Sequence, residues 1–206
     1  TPWVFGDPSG QRYCMIKEAR WVAQHLLHTT PDSSCASFFE VLQHLGDRQQ
    51  AHLATHGEFN RADPIESHLS LDDGKKLYFP LWLTTTSPVT ADLIVLSACE
   101  SNLSGPDTAG LLTPIGIGPS LAAAGAKTVV GTLWPCEGLA ATYFSYYFYQ
   151  LAAAHPDKPW HHIVAEARQM VRKMCTEDVT ALAEYMDLCD LTDECYQSVD
   201  YYQAEV

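Results

Sequence analysis

Two short stretches of the sequence place a chemically reactive side chain directly after an apolar run. In LIVLSACESNLSG, residues 93–105, the run ends at Cys99, and in AHLATHGEF, residues 51–59, His56 holds the equivalent position. A thiol attacks a carbonyl carbon only as the thiolate, so it needs a nearby base or a lowered pKa. An imidazole supplies that base and later gives the proton to a leaving amine. Cys99 and His56 together therefore predict nucleophilic acyl-transfer chemistry.

Acyl transfer also needs hydrogen-bond donors for the charge that develops on the attacked carbonyl oxygen. Gly57 directly follows His56, and because glycine has no Cβ its backbone N–H can approach a ligand closely. The backbone N–H of Cys99 is the natural second donor, so we predict an oxyanion hole formed by Gly57 and Cys99. A lone cysteine or histidine at a strand end has a structural interpretation as well, since cysteine is among the most buried residue types.

The rest of the pattern indicates the elements that must position these residues. Buried strands are predicted at 3–6, 51–55, 91–98 and 127–134, and a hairpin with a turn at Asp73-Gly74 lies between the second and third. Helices are predicted from Met15 to Leu26, from a cap at Ser33 or Ser34 to Gly46, from near Pro114 to Gly125, and at 138–154 and 160–174.

Alternating strands and helices predict an α/β fold, with a mainly parallel sheet flanked by helices on both faces. In such sheets, reactive groups gather at the carboxyl ends of the strands. If the strands at 51–55 and 91–98 are neighbours, His56 and Cys99 emerge at the same edge.

Length and composition set the broad class. A chain of 206 residues, 47% of them apolar, is expected to form one substantial core. We expect neither a membrane span nor a signal peptide, because no long apolar window and no cationic leader is present. A strand so close to the first residue suggests a domain cut from a longer parent. The seven cysteines are irregularly spaced and include no CxxC pair, which favours a reducing, cytoplasmic location.

The charge is unevenly distributed along the chain. Residues 1–176 hold 16 acidic and 12 basic side chains, whereas residues 177–206 hold nine acidic and no basic ones. No basic stripe is present, so we expect no direct binding of nucleic acid. We predict a domain at 1–176 and an acidic C-terminal extension at 177–206 that is helical or partly ordered. This extension is open to three interpretations: a docking helix, a regulatory segment or a solvated terminal helix.

One group of cysteines and histidines is a candidate metal site by residue type. It comprises Cys175, Cys189 and Cys195 with the pair His161 and His162. Their spacing does not match known metal-ligand patterns, so we expect neither a metal nor another cofactor.

The chain resembles the CHAT domain, a caspase-like and separase-like module that is often fused to tetratricopeptide repeats. The resemblance extends from residue 3 to about residue 173 and is carried, in order, by VFGDPSG, HLATHGEFN, DPIESHLSL, ADLIVLSACES, LAAAGAKTVVGTLWP and FSYYFYQL. It implies a caspase-like fold in which His56 is the catalytic histidine and Cys99 the nucleophile. Gly57 and Cys99 would then supply the oxyanion-hole N–H groups.

The same resemblance implies a cysteine endopeptidase that cleaves a specific protein partner. Relatives are switched on by an attached tetratricopeptide-repeat region or by a protein partner, and some work with an RNA-guided CRISPR effector or in another bacterial defence system. Two alternatives remain: a non-catalytic caspase-like scaffold for protein interaction, and a doubly wound nucleotide-binding domain. The sequence has neither a GxGxxG motif nor a Walker loop, which disfavours the second.

The residues that would select the substrate can be compared with the pattern of the family. Arginine-specific relatives place an aspartate two residues before the nucleophile, where this chain has Ser97. After Leu133-Trp134-Pro135 the family pattern has an acidic segment, whereas Cys136-Glu137-Gly138 follows here. Cys136 is either a second accessible thiol or a packing residue. The candidate substrate-binding residues, each with a surface or core-packing alternative, are Trp134, Ser97, Glu100, Phe59 and Glu137, with Glu58 as a further acidic candidate.

Overall fold

The computed structural model describes residues 2–6, 13–32, 37–71, 74–78, 88–105 and 116–188. Its strands are β1 Trp3–Gly6, β2 Gln50–Ala54, β3 Gly57–Glu58, β4 His68–Ser70, β5 Lys76–Tyr78, β6 Leu93–Ser97 and β7 Val129–Val130. Its α-helices are α1 Tyr13–Trp21, α2 Phe38–Asp47, α3 Ile117–Ala123, α4 Gly138–Ala154, α5 Trp160–Arg172 and α6 Thr176–Tyr185. A π-helical stretch, Val22–Leu26, continues α1, and a short 3₁₀ helix covers Pro64–Glu66.

The central sheet is parallel and has the strand order β1-β2-β6-β7. β2 and β6 are neighbours, and their register pairs Ala54 with Ser97. His56 and Cys99 each lie two residues beyond this pair, so both leave the sheet at its carboxyl edge. The predicted α/β fold with a mainly parallel sheet is confirmed.

Two apolar clusters lie on opposite faces of this sheet, because side chains alternate along each strand. The first joins the strands to α2, α3 and the small antiparallel sheet, through residues that include Phe5, Leu53, Leu96, Val41, Leu45, Ile117, Leu121 and Leu69. The second joins the strands to α1, α4 and α5, through residues that include Val4, Val95, Ala19, Phe148, Ile163 and Ala167. Helices therefore cover both faces of the sheet, which agrees with the unbroken apolar sequence of β6.

The strand predicted at 127–134 is much shorter than expected. Only Val129–Val130 pairs with β6. Beyond it, the hydroxyl of Thr132 donates to the carbonyl of Ala98 (2.7 Å), and the carbonyl of Thr132 accepts from the N–H of Asn102 (2.8 Å). The chain leaves the sheet because these bonds attach it to the loop that carries Cys99.

A second sheet, antiparallel and ordered β3-β4-β5, lies beyond the carboxyl edge of β2. It contains the predicted hairpin, with Gly74 in the left-handed region (φ 68°), whereas Asp73 lies outside the described residues. β3 was not predicted, because two residues are too few to show a periodic pattern. This strand begins directly after His56 and so fixes the backbone that follows the imidazole.

Helix boundaries differ from the predictions in detail. The hydroxyl of Ser37 caps α2 by accepting from the N–H of Glu40 (3.3 Å), and Ser33 and Ser34 lie outside the described residues. α3 ends just before Gly125, which has a φ of 122°, whereas Pro114 is not among the described residues. α4 has the predicted bounds, and α5 ends at Arg172.

The first part of the acidic extension packs onto the domain. α6 contributes to a third apolar cluster with α1 and α4, formed by Trp21, Tyr143, Leu182, Ala183, Met186 and Leu188. The hydroxyl of Tyr143 donates to the carbonyl of Val179 (3.1 Å), and the ammonium of Lys17 pairs with the carboxylate of Asp187 (2.6 Å). Residues up to 188 thus pack against the helical layer on one face of the sheet.

None of the described helices is both long enough and apolar enough to cross a membrane. Within the same residues, no three His, Cys, Asp or Glu side chains are grouped so as to hold a metal ion. Of the residues weighed as ligands, His161 and His162 have ring centroids 4.3 Å apart, and Cys175 caps α6. Cys189 and Cys195 lie outside the described residues.

Candidate active site

The two loops that carry His56 and Cys99 are in direct backbone contact. The N–H of Thr55 donates to the carbonyl of Ser97 (3.2 Å), which extends the pairing of β2 and β6 past the end of β2. A Cβ placed on Gly57 would lie 2.3 Å from the carbonyl oxygen of Cys99. Only glycine allows this approach, because no real Cβ comes so near a backbone oxygen. The structure therefore brings the predicted histidine and cysteine loops together at one edge of the sheet.

The two reactive side chains are not hydrogen-bonded to each other in this state. The thiol of Cys99 donates to the carbonyl oxygen of Cys136 at an Sγ–O distance of 3.6 Å. The Nε2 atom of His56 is buried and has no hydrogen-bond partner. Catalytic hydrogen bonds are often absent or long before a substrate binds. The Cys99 thiol would have to leave the carbonyl of Cys136 before it could give its proton to an imidazole.

The residue after Cys99 has an unusual backbone conformation. Glu100 has a φ of 51°, which is uncommon for a residue with a Cβ. Its N–H lies 3.5 Å from the carbonyl oxygen of Trp134, and the hydroxyl of Ser101 accepts from the N–H of Thr132 (3.2 Å). Strained positions of this kind occur at functional sites where the surroundings hold them in place. Here the segment after β7 holds the turn that presents Cys99.

Cys136 contributes a second, half-buried thiol next to this turn. Burial, followed by the neighbouring sulfur of Cys99 and the carboxylates of Glu18 and Glu137, raises the pKa of Cys136 to about 11. The thiol is therefore protonated at neutral pH.

The reactivity of Cys136 is expected to increase steeply with pH. Alkylating agents attack the thiolate, so labelling of Cys136 by iodoacetamide should speed up about tenfold per pH unit from pH 7 to about pH 10. Mass spectrometry of the Cys136 peptide gives the rate, with N-acetylcysteine in the same tube as the reference thiol. A labelling rate for Cys136 that levels off at the same pH as that of the reference thiol would contradict the raised pKa.

The aromatic candidates for substrate binding lie in different environments. Trp134 is 58% exposed and follows Leu133, which is also exposed, so the two form an apolar surface beside the Cys99 loop. Phe59 is buried and packs near Gly105. Of these candidates, Trp134 is the one whose side chain is open to a ligand.

The acidic candidates are mostly engaged by basic partners. The carboxylate of Glu100 pairs with the guanidinium of Arg61 (2.9 Å), and Glu100 is 16% exposed whereas Arg61 is 70% exposed. Glu58 lies 3.7 Å from the imidazole of His68, and Glu137 is exposed. A basic substrate side chain would have to displace Arg61 to reach Glu100. Because Arg61 is the more exposed of the two side chains, the pair presents its positively charged group to solvent.

Ser97 points into a buried polar network instead of the surface. Its hydroxyl donates to Oε2 of Glu18 on α1 (3.0 Å), and Glu18 is 1% exposed. The same carboxyl group accepts from the hydroxyls of Thr142 (3.3 Å) and Ser145 (2.6 Å) on α4. The network therefore joins the last residue of β6 to two helices.

A buried histidine and a buried tyrosine complete this network. Nε2 of His52 lies 3.2 Å from Oε1 of Glu18, without the alignment of a hydrogen bond, and its Nδ1 lies 3.2 Å from the hydroxyl of Tyr149. Burial, and then the charge of Glu18, raise the pKa of Tyr149. The role of Glu18 is not predicted from the sequence, where its one signal is a carboxylate among the apolar positions of α1.

Replacement of Gly57 by alanine is expected to separate the two loops. The new Cβ would meet a backbone oxygen, which cannot move aside as a flexible side chain can. Overpacking of this kind lowers the free energy of unfolding by about 1–3 kcal/mol. Urea denaturation measures the loss. Gly46→Ala is the matched control, because the nearest atom to its Cβ is 3.7 Å away. Equal stability of the two variants would contradict the close approach.

Comparison with protein families identifies the chain. The sequence pattern of the CHAT domain matches residues 12–196, which is most of the chain, and confirms the predicted resemblance. A comparison with curated proteins finds no match. CHAT domains are related to the caspase-like cysteine peptidases. With the parallel sheet and the contact between its two loops, the match establishes that this chain belongs to the CHAT domain family.

Proposed function

We propose that the domain is a cysteine endopeptidase in which Cys99 is the nucleophile and His56 the general base and acid. The observation that carries the proposal is the backbone contact between Gly57 and Cys99, which places the loops of both residues at one edge of neighbouring strands. Membership of a family related to caspase-like peptidases supports it. The strained turn at Glu100 adds a further indication of a functional loop.

The chemistry follows from these two side chains. The thiol proton of Cys99 passes to His56, and the thiolate adds to the carbonyl carbon of the scissile peptide bond. The N–H groups of Gly57 and Cys99 donate to the resulting oxyanion. When this intermediate collapses, the C–N bond breaks and His56 protonates the leaving amine. Water, deprotonated by His56, then hydrolyses the thioester and regenerates the thiol.

The present state supports a requirement for activation. The thiol donates to the carbonyl of Cys136, and Nε2 of His56 has no partner, so the proton transfer needs a rotation of Cys99 first. We propose that an attached tetratricopeptide-repeat region or a protein partner, such as an RNA-guided CRISPR effector of a bacterial defence system, favours that rotation in the cytoplasm. The substrate would be a protein segment that lies against Trp134 and Leu133.

Covalent labelling tests the proposal directly. A panel of peptide acyloxymethylketone probes with basic, acidic and apolar P1 residues should label the full-length parent protein beside its partner, and intact mass should show one added probe. Labelling should vanish in Cys99→Ala and persist in Cys175→Ala, which removes an exposed cysteine. Labelling that survives in Cys99→Ala, or no labelling beside the partner, would favour the non-catalytic scaffold instead.

A further inference from the structure

The carbonyl that accepts the Cys99 thiol belongs to a residue with a thiol of its own. The Sγ–O distance of 3.6 Å, together with the roughly 3 Å between the carbonyl oxygen and Cβ of one residue, places Cβ of Cys136 within about 7 Å of the Cys99 sulfur. Both cysteines are free and partly exposed. The segment that carries Cys136, residues 131–137, contains no helix or strand, so a bond formed there would distort no regular element.

We propose that Cys99 and Cys136 are a redox pair, in which a hydroperoxide converts the two thiols into a reversible disulfide that switches off and protects the nucleophile. The inference rests on the proposed function in one respect, since Cys99 must be the reactive thiol. It goes further by assigning a role to Cys136, at the position where the sequence departs from the family pattern.

The reaction proceeds in two balanced steps. The Cys99 thiolate attacks the hydroperoxide, the O–O bond breaks, and Cys99 becomes a sulfenic acid while the peroxide is reduced to an alcohol or water. The sulfur of Cys136 then attacks the sulfenic sulfur. The S–S bond forms, the S–O bond breaks, and the hydroxyl leaves as water with the proton of Cys136.

The position of Cys136 compensates for its weak acidity. Burial most of all, and then the sulfur of Cys99 and the carboxylates of Glu18 and Glu137, disfavour its thiolate, so the second step is slow for any one encounter. A neighbouring thiol that is held in place, however, acts at an effective concentration far above that of a free thiol. The second step should therefore accelerate with pH but proceed at neutral pH.

A nearby cysteine is the competitor for this role. Cys14 is buried and lies against Gly138, two residues after Cys136, because a Cβ placed on Gly138 would be 2.4 Å from the Cys14 sulfur. Oxidation must therefore be mapped to specific pairs of cysteines, and not counted as a loss of free thiols.

Peptide mapping after oxidation tests the proposal. The full chain, treated with hydrogen peroxide and digested without a reductant, should give a Cys99–Cys136 cross-linked peptide that dithiothreitol separates. In Cys136→Ser, Cys99 should instead advance to the sulfinic acid, which dithiothreitol does not reverse. Cys14→Ser and Cys175→Ser should form the same cross-link as the wild type.

Two results would overturn the redox pair. One is sulfinic acid at Cys99 of the wild type with no cross-link at any peroxide concentration. The other is a cross-link that joins Cys14 to Cys136 and leaves Cys99 out. Neither result changes how the reduced Cys99 thiol reacts with the probe, so the peptidase proposal would stand. Conversely, a Cys99–Cys136 cross-link in a protein that no probe labels would contradict the peptidase proposal and leave the redox pair standing.

Discussion

Replacement of His56 by alanine is expected to lower kcat/KM for peptide cleavage by about 10²–10⁴-fold. The imidazole is the one group that the proposed mechanism uses for all of its proton transfers. Stability should change little, because the variant removes a buried nitrogen that has no hydrogen-bond partner. Loss of activity without loss of stability separates a catalytic from a structural role. The measurements are steady-state kinetics on a cleavable peptide and thermal unfolding.

Two further variants sharpen this prediction. Cys99→Ala should abolish cleavage, and the double variant should lose no more than Cys99→Ala, because residues that act as a unit are not additive. His162→Ala on α5, which removes an exposed imidazole, should keep wild-type kinetics. A His56→Ala protein that retains kcat/KM within tenfold of the wild type would remove histidine from the mechanism.

Replacement of Glu18 by alanine is expected to lower the free energy of unfolding by about 3 kcal/mol, because buried polar groups lose a hydrogen-bond partner. The variant leaves the buried hydroxyls of Ser97 and Ser145 without their shared acceptor, whereas the hydroxyl of Thr142 keeps the carbonyl of Gly138 (2.8 Å). It also leaves the imidazole of His52 without its neighbouring carboxyl group. Urea denaturation measures the loss, and the midpoint of thermal unfolding should fall by roughly 10 °C.

The controls for Glu18 isolate burial from charge. Glu18→Gln keeps one carbonyl oxygen as an acceptor and should lose less stability than Glu18→Ala. Lys127→Ala breaks an exposed ion pair with Asp92 and should lose less than about 1 kcal/mol. If Glu18→Ala unfolds within about 1 kcal/mol of the wild type, the network does not hold α1 and α4 to the end of β6.

The edge of the sheet could be predicted because the sequence marks where its strands end. Each apolar run stops at a polar loop, and a parallel register of neighbouring strands then brings His56 and Cys99 to the same edge. The flanking helices could be predicted as well, since their apolar positions recur with helical spacing. These features depend on local pattern, and local pattern is what a single sequence contains.

The surroundings of the site could not be predicted in the same way. The bond between Ser97 and Glu18 spans 79 residues, and the pair of Arg61 with Glu100 spans 39. No spacing rule connects such positions, and neither acid shows in the sequence which side chain it will contact. The direction of the Cys99 thiol could not be predicted from the sequence either. It depends on the path of the chain after β7, which places the carbonyl of Cys136 beside the sulfur.

The docking of α6 has a practical consequence for producing the protein. A recombinant fragment trimmed at residue 176 would uncover Trp21 and Tyr143, which α6 and the residues after it shield. Uncovered aromatic surface promotes self-association. Expression boundaries for biochemical or crystallographic work should therefore fall beyond Leu188. The sequence alone would suggest a boundary at residue 176, where the acidic segment begins.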